Sequence, residues 1–187
     1  MKSAKIIVTG PARAGTTTFI GSLSEIAVLT TERRLDVETG VTGAERTVAL
    51  DFGRVTIAAD LVVYLFGTPG EDPESLVAGP LADGTIGVIL AVDASRPASI
   101  DDAARIVAFL KENSDVRFAV AGNRLAAEDV KRLELLRSAL DLPETAALVP
   151  CDVTQRESSK RVVLALLDDI LDHGPTLEPA PSAGEVR

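Results

Sequence analysis

The chain has few of the residues that mark several specialised protein classes. Its 187 residues include no tryptophan, one cysteine and one histidine, and aromatic residues make up only 3%. A single cysteine excludes an intramolecular disulfide framework. So few aromatic side chains argue against a stacking surface for single-stranded nucleic acid. No signal segment opens the chain, and no apolar run approaches the ~18 residues of a membrane span. We therefore expect a cytoplasmic protein with no integral membrane segment.

Positive charge is also scarce. The 28 acidic residues outnumber the 19 basic ones, which gives a formal net charge of −9. This balance opposes non-specific binding to nucleic acid, which depends on neutralising phosphates with cations. It does not oppose the binding of a small anion by a local cluster of backbone amides, because that effect acts within a few ångströms. We therefore expect no nucleic-acid partner and leave phosphate-bearing small molecules open.

Apolar runs of strand length alternate with helical patterns along the chain. We predict helices at 16–27, 98–113, 127–141 and 156–172, and strands at 4–9, 47–57, 61–67, 86–93, 116–122 and 145–151. The short link between the second and third strands predicts one antiparallel hairpin. The alternation predicts a three-layer α/β domain over 1–172, with a mainly parallel six-stranded sheet containing one antiparallel strand. The proline-containing segment 173–187 is expected to be a disordered tail, in which the one histidine, His173, is solvated.

The stretch GPARAGTT lies between the first predicted strand and the first predicted helix. It has the spacing of the phosphate-binding loop G-x-x-x-x-G-K-[ST], but Thr16 stands where lysine is expected. Glycines in such a loop allow its amides to point at an anion, and the helix N-terminus adds partial positive charge. Thr17 stands where a hydroxyl binds Mg²⁺. The predicted nucleotide-binding residues here are Gly10, Arg13, Ala14, Gly15, Thr16, Thr17 and Thr18.

The missing lysine leaves this loop open to two interpretations. Removing a charged hydrogen bond from such a site costs ~1.5–3 kcal/mol, or roughly one to two decades of affinity. Arg13 is a candidate to compensate, although a residue at that position usually points outward. An ordinary glycine-containing turn between a strand and a helix is the alternative. Other segments must decide between them.

Five stretches follow one another in a familiar order: GTTTFIGSLSEI, ERTVALDFGRV, YLFGTPGE, VAGNRLA and VPCD. In this order and at these intervals they resemble the motifs of the small Ras-like GTPases. They are most similar to the bacterial MglA-type branch of gliding-polarity and conservon signalling systems. The resemblance covers about residues 4–172. It implies a P-loop G-domain that binds GTP or GDP together with Mg²⁺.

The resemblance also implies roles for residues beyond the loop. Arg46 resembles an arginine finger supplied in cis, and Thr47 resembles a Mg²⁺ ligand, but solvated charges opening a strand explain this pair equally well. Asp51 resembles a strand acid that partly replaces an absent switch II aspartate, so the implied metal ligands are Thr17, Thr47 and Asp51. The implied base-side residues are Asn123, Arg124, Cys151 and Asp152. We interpret the Cys151 thiol as a buried strand-end group and not as a nucleophile.

Several positions depart from the Ras-like pattern. Gly67 stands where switch II usually begins with aspartate, and Glu71 stands where a glutamine orients the attacking water. Ala126 replaces the aspartate that accepts hydrogen bonds from guanine, which predicts poor discrimination between purines. Glu128 and Asp129 lie nearby, but acidic residues at the start of a helix explain them better. The stretch after Glu71 contains two prolines and no aromatic residue, so this partner-facing surface is altered or disordered.

Three functions compete for this sequence. The first is a signalling switch with weakened nucleotide binding that is at most a slow GTPase. The second is a pseudo-GTPase scaffold that binds no nucleotide. A P-loop nucleotide kinase is the weakest, because no insertion supplies a second substrate site or a lid. The resemblance implies a roadblock-type regulator and a membrane sensor kinase as partners, with the protein peripheral to a membrane signalling complex.

Overall fold

The computed structural model describes the backbone of residues 2–35, 46–70, 73–77 and 81–173, and the side chains of these except 31–35, 46–49 and 75. Seven strands are present: β1 (Lys2–Thr9), β2 (Leu29–Leu35), β3 (Arg46–Ala58), β4 (Leu61–Gly67), β5 (Thr85–Asp93), β6 (Arg117–Asn123) and β7 (Ala147–Cys151). The four α-helices are α1 (Thr16–Leu23), α2 (Pro97–Asn113), α3 (Val130–Ala139) and α4 (Arg156–His173). A short 3-10 helix spans Pro73–Leu76. Within these ranges, no helix has the length and apolar character that crossing a membrane requires.

The strands form one sheet in the order β2-β3-β4-β1-β5-β6-β7. β1 runs parallel to both β4 and β5, and β5, β6 and β7 continue in the same direction. β3 runs antiparallel to both of its neighbours, β2 and β4. The prediction of a mainly parallel sheet with one antiparallel strand is therefore confirmed. The predicted number of six strands is wrong, because β2 adds a seventh.

β2 was missed because its sequence, LTTERRL, has three charged residues and no apolar run. Such charge is common on an edge strand, where only one side of the strand pairs. The predicted helix 16–27 is also too long at its C-terminus. The chain leaves α1 at Ser24, whose hydroxyl accepts the Arg54 amide at 3.3 Å, while the Glu25 amide donates to the Arg54 carbonyl at 2.8 Å. Residues 24–25 thus bond to Arg54 of β3 ahead of the first residue of β2 and do not continue the helix.

Two apolar clusters lie on opposite faces of the sheet, which confirms the three-layer α/β architecture. Ile6 and Val8 of β1 point to one face, where α1 and α4 pack, and Ile7 points to the other, where α2 and α3 pack. This alternation follows from the two-residue period of a strand. On α4, the predicted apolar face is buried: Val162, Val163, Leu166, Leu167 and Ile170.

The strands are added on one side of β1 first and then on the other, so β1 is the switch point of the sheet. After β1 the chain continues to β2, β3 and β4 on one side, and after β4 it crosses to β5 on the other side. In open α/β sheets, ligands bind outside the carboxyl ends of the strands at such a switch point. The carboxyl end of β1, where the loop 10–15 begins, is therefore the first place to look for a site.

Candidate functional site

A cavity of about 690 Å³ lies at this edge of the sheet. It is formed by the segments that follow β1, β4, β6 and β7, together with one residue each from β2 and β3. Its size is in the range of small-molecule sites. The lining residues are 10–18, Thr30, Asp51, 67–70, Asn123, Arg124 and 152–154.

The loop 10–15 has the backbone geometry of an anion cradle. Arg13 and Gly15 have positive φ angles of 65° and 105°, whereas Ala14 between them does not. Alternation of left- and right-handed residues points successive amides toward one concave side. A Cβ atom at position 15 would lie 2.9 Å from Val153 Cγ2, so glycine is required there for space as well as for conformation.

The N-terminus of α1 opens into this cavity. Gly15 caps the helix without a side-chain hydrogen bond, and the Phe19 amide donates to the Gly15 carbonyl at 2.8 Å. The amides of Thr16, Thr17 and Thr18 have no acceptor among the described residues. Unpaired amides at a helix N-terminus carry partial positive charge. The cavity thus has an anion-attracting wall, but Thr16 provides no side-chain cation to it.

The segment 68–70 packs directly on the loop. The Gly70 amide donates to the Gly10 carbonyl at 3.0 Å, and the Thr9 hydroxyl donates to the Thr68 carbonyl at 3.3 Å. A Cβ atom at Gly70 would lie 2.6 Å from the Gly10 oxygen. The two backbones are therefore in contact, which explains glycine at position 70; at position 10, a Cβ atom would lie 2.3 Å from the Ala91 carbonyl oxygen of β5.

Asp51 of β3 forms the acidic wall of the cavity. The Thr17 hydroxyl donates to Asp51 Oδ2 at 2.6 Å, and the Thr30 hydroxyl donates to Oδ1 at 2.8 Å. Asp51 is only 9% exposed. Mg²⁺ is commonly held by one or two carboxylates, water and the phosphates of a ligand. Asp51 and Thr17 fit that donor set, whereas no group of three or more acidic, histidine or cysteine side chains among the described residues would hold a metal alone.

Gly67, at the end of β4, is the register partner of Asp51. A Cβ atom at position 67 would lie 2.6 Å from Ile20 Cδ1 and 3.0 Å from Asp51 Cβ. A side chain at position 67 would therefore require the Ile20 side chain to move. The carboxylate at this point of the cavity comes from the neighbouring strand.

Asn123, at the end of β6, connects two sides of the cavity. Its Nδ2 donates to the Ala14 carbonyl at 3.0 Å, and its Oδ1 accepts the Val153 amide at 3.5 Å. The side chain is 5% exposed. Both ends of the amide are thus used to hold the loop against the segment after β7. Asn123 therefore stabilises the shape of the cavity wall through its two hydrogen bonds.

Arg124 has a positive φ of 59°, and its Nη1 lies 3.1 Å from Oδ2 of the buried Asp93. Arg124 is one of the implied base-side residues and lines the cavity, and its guanidinium pairs with the carboxylate at the end of β5. Burial alone would raise the pKa of Asp93. The hydrogen bonds from Ser95 and the charges of Arg124 and Arg96 outweigh burial and lower this pKa.

The segment after β7 has local bonds of its own. Asp152 Oδ1 accepts the Thr154 hydroxyl at 2.6 Å and its amide at 3.0 Å, and these bonds lower the pKa of Asp152. Cys151 is 2% exposed, and burial raises the pKa of its thiol. It is the buried strand-end group that the sequence indicated.

The acidic residues near Ala126, Glu128 and Asp129, do not line the cavity. Asp129 is the N-cap of α3, where its Oδ1 accepts the Arg132 amide at 3.1 Å. Ala126 and Glu128 are exposed, and neither lines the cavity. The interpretation of Asp129 as a helix-start acid is confirmed. α3 itself is shorter than the predicted 127–141 because it begins after this cap.

The remaining predicted residues are placed only in part. Arg46 and Thr47 open β3, but their side chains are outside the described part of the chain. Glu71 and the segment 174–187 lie outside the described residues altogether. Arg13 is exposed at the cavity rim. His173 does not begin a tail: it ends α4, exposed, with Nδ1 3.3 Å from Asp169 Oδ1.

The sequence analysis missed Thr30, the second hydroxyl donor to Asp51, along with other lining residues such as Thr68 and Thr154. Thr30 lies in β2, and without that strand nothing placed it opposite Asp51. Comparisons with known proteins identify no family for the chain. No protein-family model matches the chain, and no curated protein matches it.

Proposed function

We propose that the chain is a Ras-like switch protein that binds a guanine nucleotide weakly in this cavity and hydrolyses it slowly or not at all. The observation that carries the proposal is the loop 10–15, with its alternating φ angles and the unpaired amides of α1 beside it. Such a wall favours phosphate over other ligands. Its place at the switch point of the sheet supports the same ligand.

The binding is proposed to be weak because the cavity has little positive charge. Of the described lining residues, only Arg13 and Arg124 are cationic, and Arg124 is paired with Asp93. Loss of the lysine and of the base acceptor at Ala126 removes about 3–6 kcal/mol if the two effects add. A nucleotide otherwise bound in the nM to pM range would then bind at about micromolar concentration at best.

Slow or absent hydrolysis follows from the same deficit. Phosphoryl transfer depends mainly on positioning and on stabilising the charge of the transferred group. Thr16 supplies no cation there, and the sequence places Glu71, an anion, where a glutamine would orient water. When bound, Mg²⁺ would neutralise phosphate charge, with Asp51 and Thr17 as the residues that hold it. A roadblock-type regulator and a membrane sensor kinase remain the proposed partners.

A pseudo-GTPase scaffold is the second candidate, and one observation favours it. The Thr17 hydroxyl and the Gly70 amide, two groups that face the loop, already have partners inside the protein. A cavity that satisfies its own polar groups gains less from a ligand. Binding measurements separate the two candidates.

The decisive experiment restores the lysine. Thr16→Lys places a cation beside the unpaired amides, and we expect it to tighten binding of fluorescent GDP about 10- to 100-fold. The wild-type protein is expected to bind the same probe in the micromolar range. Fluorescent GTP and ATP analogues, titrated in parallel, show whether the cavity prefers guanine to adenine nucleotides.

The matched control adds the same charge elsewhere. Ala108→Lys lies on the exposed face of α2, away from the cavity, and is expected to leave the affinity unchanged. If neither the wild-type protein nor Thr16→Lys binds nucleotide at hundreds of micromolar, the switch proposal is wrong and the scaffold stands. Equal gains in both lysine variants would indicate binding through net charge alone.

A further inference from the structure

A turn at the carboxyl end of β5 is surrounded by arginine side chains. Residues 93–96 form this turn, in which the Arg96 amide donates to the Asp93 carbonyl at 3.1 Å. Arg132 Nη2 donates to the Ala94 carbonyl at 3.2 Å, and Arg124 Nη1 lies 3.1 Å from Asp93 Oδ2. The guanidinium groups of Arg124 and Arg132 therefore contact consecutive residues of one turn.

The same group of arginines reaches the loop 10–15. Arg96 Nη1 donates to the Ala12 carbonyl at 3.2 Å, and the next residue of the loop, Arg13, is exposed. We call Arg13, Arg96, Arg124 and Arg132 the arginine belt. Its members come from the loop, the start of α2, the segment after β6 and α3, so only the fold brings them together.

Three guanidinium groups of the belt are ordered before any partner arrives. Arg96 and Arg132 are each fixed by a backbone carbonyl, which orients the group without cancelling its charge. The side chain of Arg124 is 63% exposed and that of Arg132 is 43% exposed. A guanidinium has five N–H donors in a planar fork, so donors remain for the two oxygens of a carboxylate. Ordered groups of this kind lose little conformational entropy on binding.

The belt is positive in a chain that is strongly negative. Its four arginines face two carboxylates: Asp93, which is 1% exposed, and Asp129, whose Oδ2 lies 3.8 Å from Arg132 Nε. Glu128 and Lys131 are exposed neighbours along the chain, and their opposite charges offset each other. Since the net charge of the whole chain is −9, the acidic excess lies outside the belt.

We propose that the arginine belt is an interaction surface that binds a short acidic segment of a partner protein. Carboxylates of that segment accept hydrogen bonds from the exposed guanidinium nitrogens. The net charge of the chain selects this partner among anions. Nucleic acid or an anionic membrane extends beyond the belt and meets the acidic remainder of the protein, whereas a short segment contacts the belt alone. The inference is independent of whether the cavity binds nucleotide.

The test measures binding of a fluorescein-labelled oligoglutamate peptide by fluorescence anisotropy at low ionic strength. The double variant Arg96→Gln, Arg132→Gln removes two charges of the belt and is expected to weaken binding about tenfold. Wild-type affinity is expected to fall as salt is added, because salt screens exposed charges. Neither residue lines the cavity, so nucleotide affinity is expected to stay the same.

The matched control is the double variant Arg105→Gln, Arg161→Gln. It removes the same charge from the exposed surfaces of α2 and α4 and is expected to bind the peptide as wild type does. Equal losses in the two double variants would mean that net charge alone sets the affinity, and the belt would not be a site. The proposal is also wrong if wild type does not bind the peptide at about 1 mM, a limit that corresponds to roughly 4 kcal/mol.

Other partners are tested in parallel with a single-stranded RNA oligomer and with vesicles containing phosphatidylserine. Tighter binding of either one, lost in the belt variant, would overturn the choice of an acidic protein segment. If the belt variant does not fold, as judged by thermal unfolding, amide chemical shifts of the wild-type protein decide. The peptide is expected to shift the amides of Ala12, Ala94 and Arg124, and shifts confined to other parts of the chain would contradict the proposal. Failure of nucleotide to bind leaves each of these results unchanged.

Discussion

Gly67 and Asp51 pair across β4 and β3, where a Cβ atom at position 67 would lie 3.0 Å from Asp51 Cβ and 2.6 Å from Ile20 Cδ1. The two positions are therefore interdependent. Glycine at 67 lets the Ile20 and Asp51 side chains both pack closely against the end of β4. Close packing around β4 thus accounts for the glycine at position 67.

Gly67→Ala is expected to lower the free energy of unfolding by about 1–3 kcal/mol, since the added methyl overpacks the contact with Ile20. Urea denaturation measures this loss. Gly21→Ala, in the middle of α1, is the matched control. Its added Cβ would meet only Val28, at 4.0 Å. We expect this control to gain roughly 0.5–1 kcal/mol from helix propensity. A Gly67→Ala variant as stable as wild type would contradict the packing argument.

Asp129→Ala is expected to cost about 1 kcal/mol of stability, because it removes the N-cap of α3. Nucleotide affinity should not change, since the carboxylate is bonded to the Arg132 amide and does not line the cavity. Glu128→Ala, one residue earlier and exposed, should alter neither quantity. Specific loss of GDP binding in Asp129→Ala, with ATP analogues unaffected, would instead make Asp129 a reader of the base.

Cys151 is expected to react slowly with a thiol reagent such as DTNB in the native protein. Burial and a raised pKa both limit the thiolate that the reagent needs. We expect labelling to be about a hundredfold or more slower in buffer than in denaturing urea, because access requires opening of the sheet edge. An Ala108→Cys variant, which adds an exposed thiol, should show one fast and one slow phase. Fast labelling of wild type would mean that β7 opens readily.

Asp93 is expected to stabilise the fold in a pH-dependent way. Its pKa in the folded protein is below the ordinary value of 3.8, so its contribution is present above about pH 4 and is lost as the pH falls through the folded value. Asp93→Asn should therefore be less stable than wild type at pH 7, by about 1 kcal/mol, with a smaller difference near pH 3. Urea denaturation at both values tests this. A difference that grows in acid would reverse the sign and contradict the argument.

Much of the fold follows from periodicity in the sequence. The buried parallel strands and the helices α2 and α4 are predicted to within a few residues, because continuous apolar runs and amphipathic faces fix them. The edge strand β2 could not be predicted in this way. Its seven residues satisfy one ladder of backbone bonds with β3, and backbone pairing leaves no signature in side-chain hydropathy.

The site was predictable within the loop, and, through the order of the motifs, at Asp51, Asn123, Arg124 and Asp152, which also line the cavity. The glycine spacing of the loop 10–15 lies within one short stretch of sequence, and the structure places this loop as a turn at the carboxyl end of β1. The contact between Thr30 and Asp51 depends on the register of two strands, and the position of Asn123 depends on three separate segments. Tertiary contacts of this kind are not encoded by any local pattern.

The bonds of Asn123 have a consequence for the energetics of the loop. By joining Ala14 to Val153, its buried amide fixes the concave backbone before any ligand arrives. A preorganised receptor does not pay an ordering entropy on association. A ligand should consequently enter the loop side of the cavity by simple docking, and any large conformational cost of binding would arise elsewhere in the chain.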